Sequence, residues 1–169
     1  MIDAKLLCAA IVAVNMPNSQ YACKNMDVLV EASTYYDLDP HLMISLIHEE
    51  SRWKPNAVSK KGACGLTQLL PKYTKPRHSC KELKNPEISI WLGAKCLKSW
   101  IKNYGRGNEI IGLCGYNAGY RCKGAKAVKS GRAFARRIKR RAARLKVQSS
   151  AIAADQAIRH LQRKALERP

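Results

Sequence analysis

The sequence predicts a mainly α-helical domain carrying a basic helical extension at its C-terminal end. Apolar residues recur at three- and four-residue spacings, strand-like alternation is scarce, and Asp39-Pro40 and Asn85-Pro86 are strong helix starts. With 169 residues, 46% of them hydrophobic, the chain can bury a real core. No apolar run approaches the roughly 20 residues of a membrane-spanning helix.

Residues 1–22 begin with one lysine and the nine-residue apolar run Leu6 to Val14, with small residues at Ala13 and Ala22 where cleavage would fit. That is a signal-like pattern, weakened by Asp3, which offsets Lys5. Met26 to Tyr36 reads as a short helix capped by Asn25 or Asp27. The helix opened by Asp39-Pro40 runs through HLMISLIHEES, with the proline at its first position. Met43, Ile47 and Glu50 share one face of it, whereas Glu49 lies about 100° away, towards solvent.

Residues 55–65 break periodicity and read as loop. The helix opened by Asn85-Pro86 carries a core stripe of Ile90, Ala94, Leu97 and Ile101. Asn108 caps another helix, which ends in Tyr116-Asn117-Ala118-Gly119. Beyond Gly124, Phe134, Ile138, Ala142 and Leu145 form a stripe among arginines and lysines. Ala154, Ile158, Leu161 and Ala165 form a weaker one in a final helix, separated by a hinge at Gln148-Ser149-Ser150. The predicted division is a signal-like segment 1–22, a domain 23–147 and a basic tail 148–169.

The net charge of +19 is uneven. Residues 1–120 hold 15 Lys and Arg against 10 Asp and Glu, whereas residues 121–169 hold 16 against 2. Such an end calls for an anionic partner: an envelope polymer, a membrane or nucleic acid. Cys23, Cys64, Cys80, Cys96, Cys114 and Cys122 are spread across the domain without metal-ligand spacing. They predict three disulfides of open connectivity in an oxidising compartment, with Cys8 left in the apolar run. The four histidines do not cluster, and no metal or cofactor is expected.

With no phosphate loop or nucleophile elbow in the chain, carboxylate chemistry remains. A carboxyl on an apolar face has its charged form disfavoured, so Glu50 is suited to donate a proton. Glu50-Ser51, Pro55-Asn56-Ala57-Val58-Ser59, Gly62-Ala63-Cys64-Gly65-Leu66-Thr67-Gln68, Asn85-Pro86 with Ile90 to Gly93, and Tyr116-Asn117-Ala118-Gly119 stand in order over residues 26–145. Together they resemble the lytic transglycosylase catalytic domain of the soluble, lysozyme-like type.

The resemblance implies a lysozyme-like fold and a lytic transglycosylase acting on peptidoglycan glycan strands, exported, periplasmic or virion-associated. Glu50 matches the single catalytic acid/base and Ser51 its neighbour. Gly65, Leu66 and Gln68 match the loop lining the saccharide cleft, with Gln68 offering a donor and an acceptor to a sugar amide. Tyr116 and Asn117 match groups that hold the acid or the N-acetyl arm. Ordinary glycoside hydrolysis uses two carboxylates, yet no acidic residue stands between Glu50 and Glu82. That suits the intramolecular route, although Asp37, Glu87 and Glu109 remain available to fold back.

Three departures are expected to matter. Thr67 replaces a common methionine and removes an apolar cleft wall. Tyr120-Arg121-Cys122 replaces Pro-Gly and suggests a disulfide-pinned loop. Phe134 stands where a tyrosine often reaches the acid, leaving more of that work to Tyr116. The alternatives are a muramidase of the same fold using water, and a non-catalytic cationic module that binds membrane or nucleic acid.

Overall fold

Eight helices appear among the described residues, 3–124 and 128–166 of a computed structural model: α1 (Ala4–Ala13), α2 (Ser19–Lys24), α3 (Met26–Tyr35), α4 (Pro40–Ser51), α5 (Cys80–Leu83), α6 (Pro86–Ser99), α7 (Glu109–Ala118) and α8 (Lys129–Leu166). The outermost parts of the signal-like and tail spans, 1–2 and 167–169, lie outside those residues. The mainly α reading holds. Only isolated bridges, from Cys64 to Val58 and to Leu69, punctuate the loop after α4.

Local chemistry accounts for the helix starts. Asp39 accepts from the His41 backbone N–H, Asn85 from Ile88 and Asn108 from Ile111, each satisfying an orphan donor of the first turn. Asn25 occupies the cap position of α3, but its side chain donates backwards to the Tyr21 carbonyl instead. α6 runs on through a π-helical turn, Trp100–Tyr104, into the Gly105–Gly107 stop.

α4 is the central element, and His41 to Ile47 are buried without interruption. α3 and α8 pack on it, α7 and α1 also pack on α8, and α6 joins α3 to α7. The apolar stripes read from the sequence fill this core: Ile90, Ala94, Leu97 and Ile101 from α6, and Phe134, Ile138, Ala142 and Leu145 from α8.

Two sequence expectations are corrected, and the signal-like run is placed in the fold. The signal-like run is α1, whose Leu7, Ala10 and Ile11 are buried in the common core beside α8. An amphipathic core helix and a short signal core share the same composition. The hinge at Gln148–Ser150 lies inside one continuous helix, where Ser149 is buried and its hydroxyl lies 3.1 Å from His41 Nε2. The disulfides are Cys8–Cys23, Cys64–Cys80 and Cys114–Cys122, leaving Cys96 free. Three bridges form, but Cys8 takes the place assigned to Cys96, because α1 folds back beside α2.

Burial along α8 ends at Ser149, while Ile158 and Leu161 stand exposed. Leu145→Ala is therefore expected to lower unfolding free energy by about 2–5 kcal/mol. Leu161→Ala should stay within about 0.5 kcal/mol. Urea denaturation followed by circular dichroism measures both.

Candidate active site

α4 ends in two adjacent glutamates with opposite environments. Glu49 accepts from Arg137 Nε at 2.6 Å and Arg141 at 3.0 Å, both on α8. Burial pushes its carboxyl up, but the two guanidiniums outweigh burial and hold it below the usual range. The solvent-facing position expected for Glu49 is thus an interhelical clamp, because α8 covers that side of α4.

Glu50 has no ion-pair or hydrogen-bond partner among the described residues. Burial, and secondarily the negative charge of Glu49, pushes it up to about 8. It is therefore protonated at neutral pH. Its charge bears on Cys96 of α6 and Tyr116 of α7, which places three helices around one carboxyl. The partly buried Cys96 thiol is pushed up to about 11 by desolvation and stays protonated.

The chain leaves α4 through two successive left-handed residues, Arg52 at φ 52° and Trp53 at φ 61°. Neither is glycine, so tertiary contacts hold the turn. The Arg52 carbonyl accepts from Asn18 Nδ2 at 2.7 Å, and the Trp53 side chain is fully buried. Ser51 is buried as well, and its hydroxyl donates to the Ile47 carbonyl, closing the helix end. These contacts fix the direction in which Glu50 leaves its helix.

The loop Gly62–Leu70 is braced from several sides. Gly65 has φ +77°, and a Cβ there would lie 1.8 Å from the Leu83 carbonyl oxygen, so only glycine fits. Leu66 is fully buried. Thr67 is fully buried too: its hydroxyl donates to the Ser89 carbonyl at 2.8 Å, against Gly93 of α6. It joins the loop to α6 as a fully buried hydrogen-bonding residue. The Cys64–Cys80 disulfide ties the same loop to α5.

Gln68, at φ 52°, donates through Nε2 to the carbonyls of Ala57 and Gly65. Its donor capacity braces the loop, and the amide oxygen is what remains for a ligand. Tyr116 donates its hydroxyl to the Thr67 carbonyl at 2.7 Å, not to Glu50. It therefore links α7 to the loop. Asn117 is exposed beside it, within the segment that the Cys114–Cys122 disulfide closes. Phe134 lies in the core.

Two features escaped the sequence reading. Cys96 sits near Glu50, which its helical position alone does not reveal. Trp100, Tyr104 and Tyr120 form an aromatic cluster with centroids 5.0 to 5.5 Å apart, and Tyr120 is 80% exposed. Tyr120 follows the Tyr-Asn-Ala-Gly block directly, and an exposed aromatic there is a visible signal. Among the described residues no group of His, Cys, Asp or Glu is arranged to hold a metal ion.

The helical domain thus carries one partly buried, unpartnered carboxyl at the end of α4, with Cys96 and Tyr116 within its electrostatic reach. Residues 27–139 match the Transglycosylase SLT domain family, and the chain belongs to that family. It is 37% identical over 82 residues to the endo-type membrane-bound lytic murein transglycosylase A of Salmonella typhimurium (strain LT2) and, to the same extent, to that of Salmonella enteritidis PT4. The alignment spans 43% of this chain and 40% of those relatives, well under half their length. The solved structure of an inactive mutant of the lytic transglycosylase Slt from Pseudomonas aeruginosa shares the fold. Its TM-score is 0.64 at 17% identity, covering 91% of this chain and 31% of that one.

The raised Glu50 pKa has a consequence for stability. Between pH 4.5 and about 8 the unfolded chain releases a proton that the folded chain keeps. Each pH unit in that window removes about 1.4 kcal/mol of stability. Glu50→Gln abolishes that loss, so its melting temperature should equal wild type near pH 4.5 and exceed it increasingly towards pH 8. Differential scanning calorimetry across that range reads the difference.

Proposed function

We propose that this chain is a peptidoglycan lytic transglycosylase with Glu50 as its single general acid/base. The observation that carries the reading is a largely desolvated carboxyl, protonated at neutral pH and free of any cation, next to Tyr116, which braces the loop. In the proposed reaction Glu50 donates its proton to the glycosidic oxygen between N-acetylmuramic acid and N-acetylglucosamine. The C1–oxygen bond breaks, and the substrate's own N-acetyl group stabilises the cationic carbon. Glu50, now a carboxylate, takes the proton of the muramic 6-hydroxyl as that oxygen bonds to C1. The product is a 1,6-anhydromuramic end, and the acid is regenerated without water.

The placement of the other acids supports this route over one needing a second carboxylate. Glu49 is held by two arginines, Asp37 pairs with Lys98 and Glu109 pairs with Lys139. Glu87 is exposed in the first turn of α6. The acids that the sequence left open are thus engaged or exposed elsewhere. Gln68 offers one amide oxygen to the glycan, and the buried Gly65 and Leu66 hold its loop in place rather than lining the cleft themselves. Ser51 and Tyr116 act as positioning residues, fixing the helix end and the loop, and exposed Asn117 is the side chain free to meet the N-acetyl arm. Three disulfides suit action outside the reducing cytoplasm, at the cell wall.

Mass spectrometry of muropeptides released from purified sacculi tests the reading. Wild type should release anhydromuramic ends, and Glu50→Gln should fall by at least about 100-fold. Reducing muramic acid ends would replace the proposal with hydrolysis by the same fold. Product persisting in the variant would remove Glu50 from its role. Activity of the wild type should also decline as pH rises through about 8, where the acid loses its proton.

A further inference from the structure

The 38 residues of α8 span about 57 Å, and two opposite faces of the helix behave differently. One face buries Phe134, Ile138, Ala142, Leu145 and Ser149 against the core. At 100° per residue, Arg136, Arg140, Arg144, Val147, Ile158 and Leu161 all fall within about 60° of a single line on the other face. All six are exposed, with Val147 at 71%, Ile158 at 55% and Leu161 at 66%. The line is cationic over the body of the protein and apolar where the helix runs beyond the buried core.

Ion pairing sharpens the contrast. Arg137 and Arg141 are engaged by Glu49, and Lys139 by Glu109, whereas Arg136, Arg140 and Arg144 have no acidic partner among the described residues. The one acid of α8, Asp155, pairs with Arg159 of its own helix. Grooves flank the arginine line on both sides. One is lined by Ile110 and Ala133, and the other, about 490 Å³ in volume, by Val14, Met16, Pro17 and Leu145. Each thus sets apolar floor beside guanidinium groups, and Glu50 lines neither.

We propose that the outward face of α8 is a docking surface for an anionic lipid bilayer, with Arg136, Arg140 and Arg144 on the headgroup phosphates and Val147, Ile158 and Leu161 in the acyl boundary. Guanidiniums suit phosphate oxygens, and a basic helix with an apolar stripe lies in the plane of a membrane interface. The combination selects this occupant. A nucleic acid would leave the exposed apolar half without a role. A second copy laid alongside in register would bring the unpaired Arg136, Arg140 and Arg144 against their own likes. This inference does not rest on the proposed reaction, because Glu50 lines neither groove.

Co-sedimentation of the full chain with vesicles tests it. Wild type should bind phosphatidylglycerol-containing vesicles and leave pure phosphatidylcholine vesicles unbound. Replacing Arg136, Arg140 and Arg144 together by glutamine should weaken binding about 100-fold. Replacing Ile158 and Leu161 by serine should leave low-salt binding measurable but abolish retention at high salt, and Glu50→Gln should bind as wild type. Equal binding to both vesicle types would overturn the proposal. So would serine variants that bind as wild type while duplex DNA displaces the vesicles, which would mark a general polyanion surface. All the substituted α8 positions are exposed, and unchanged melting temperatures verify that the variants fold.

Discussion

The clamp between Glu49 and the arginine pair Arg137 and Arg141 is the contact on which the rest of the arrangement depends. It joins the end of the buried helix α4 to α8 through two charge-assisted hydrogen bonds of 2.6 and 3.0 Å. Because Glu49 is neutralised there, the next carboxyl along the chain is left without a cation. Desolvation then decides the state of Glu50, supported by the residual negative charge of its neighbour. One helix end thereby holds an ionised glutamate that anchors α8 and a protonated one without a partner.

The same division recurs around the loop beside Glu50. Groups that a sequence reading assigns to the ligand are largely engaged in holding the loop. Thr67 is bound to Ser89, Tyr116 to Thr67 and the Gln68 amide nitrogen to two carbonyls. A braced loop is preorganised, and under the proposed reaction such positioning is what a single acid needs when no second carboxylate assists. Gly65 is required because the Leu83 carbonyl occupies the space a side chain would take. Further along, the tail extends this economy, with one face of α8 completing the core and the other carrying unpaired charge.

Much of this was legible from residue order alone. Helix starts at Asp39, Asn85 and Asn108, the core stripes of α6 and α8, and the asymmetry of Glu49 and Glu50 follow from local capping chemistry and a 3.6-residue period. The blocks around Glu50, Gly65 and Tyr116 pointed to the family that residues 27–139 match. Long-range pairings were not legible. Cys8 with Cys23, Ser149 with His41 and Cys96 beside Glu50 depend on which helices become neighbours, and spacing along the chain carries no record of that.

The sequence by itself thus determined the helices, the face on which the acid lies and the cationic end, because these depend on interactions within a few residues. Only the tertiary structure decided that α1 belongs to the core, that α8 runs unbroken and that Glu49 is an anchor beside an unpaired Glu50. Burial and charge pairing are properties of the space between helices, and packing creates that space.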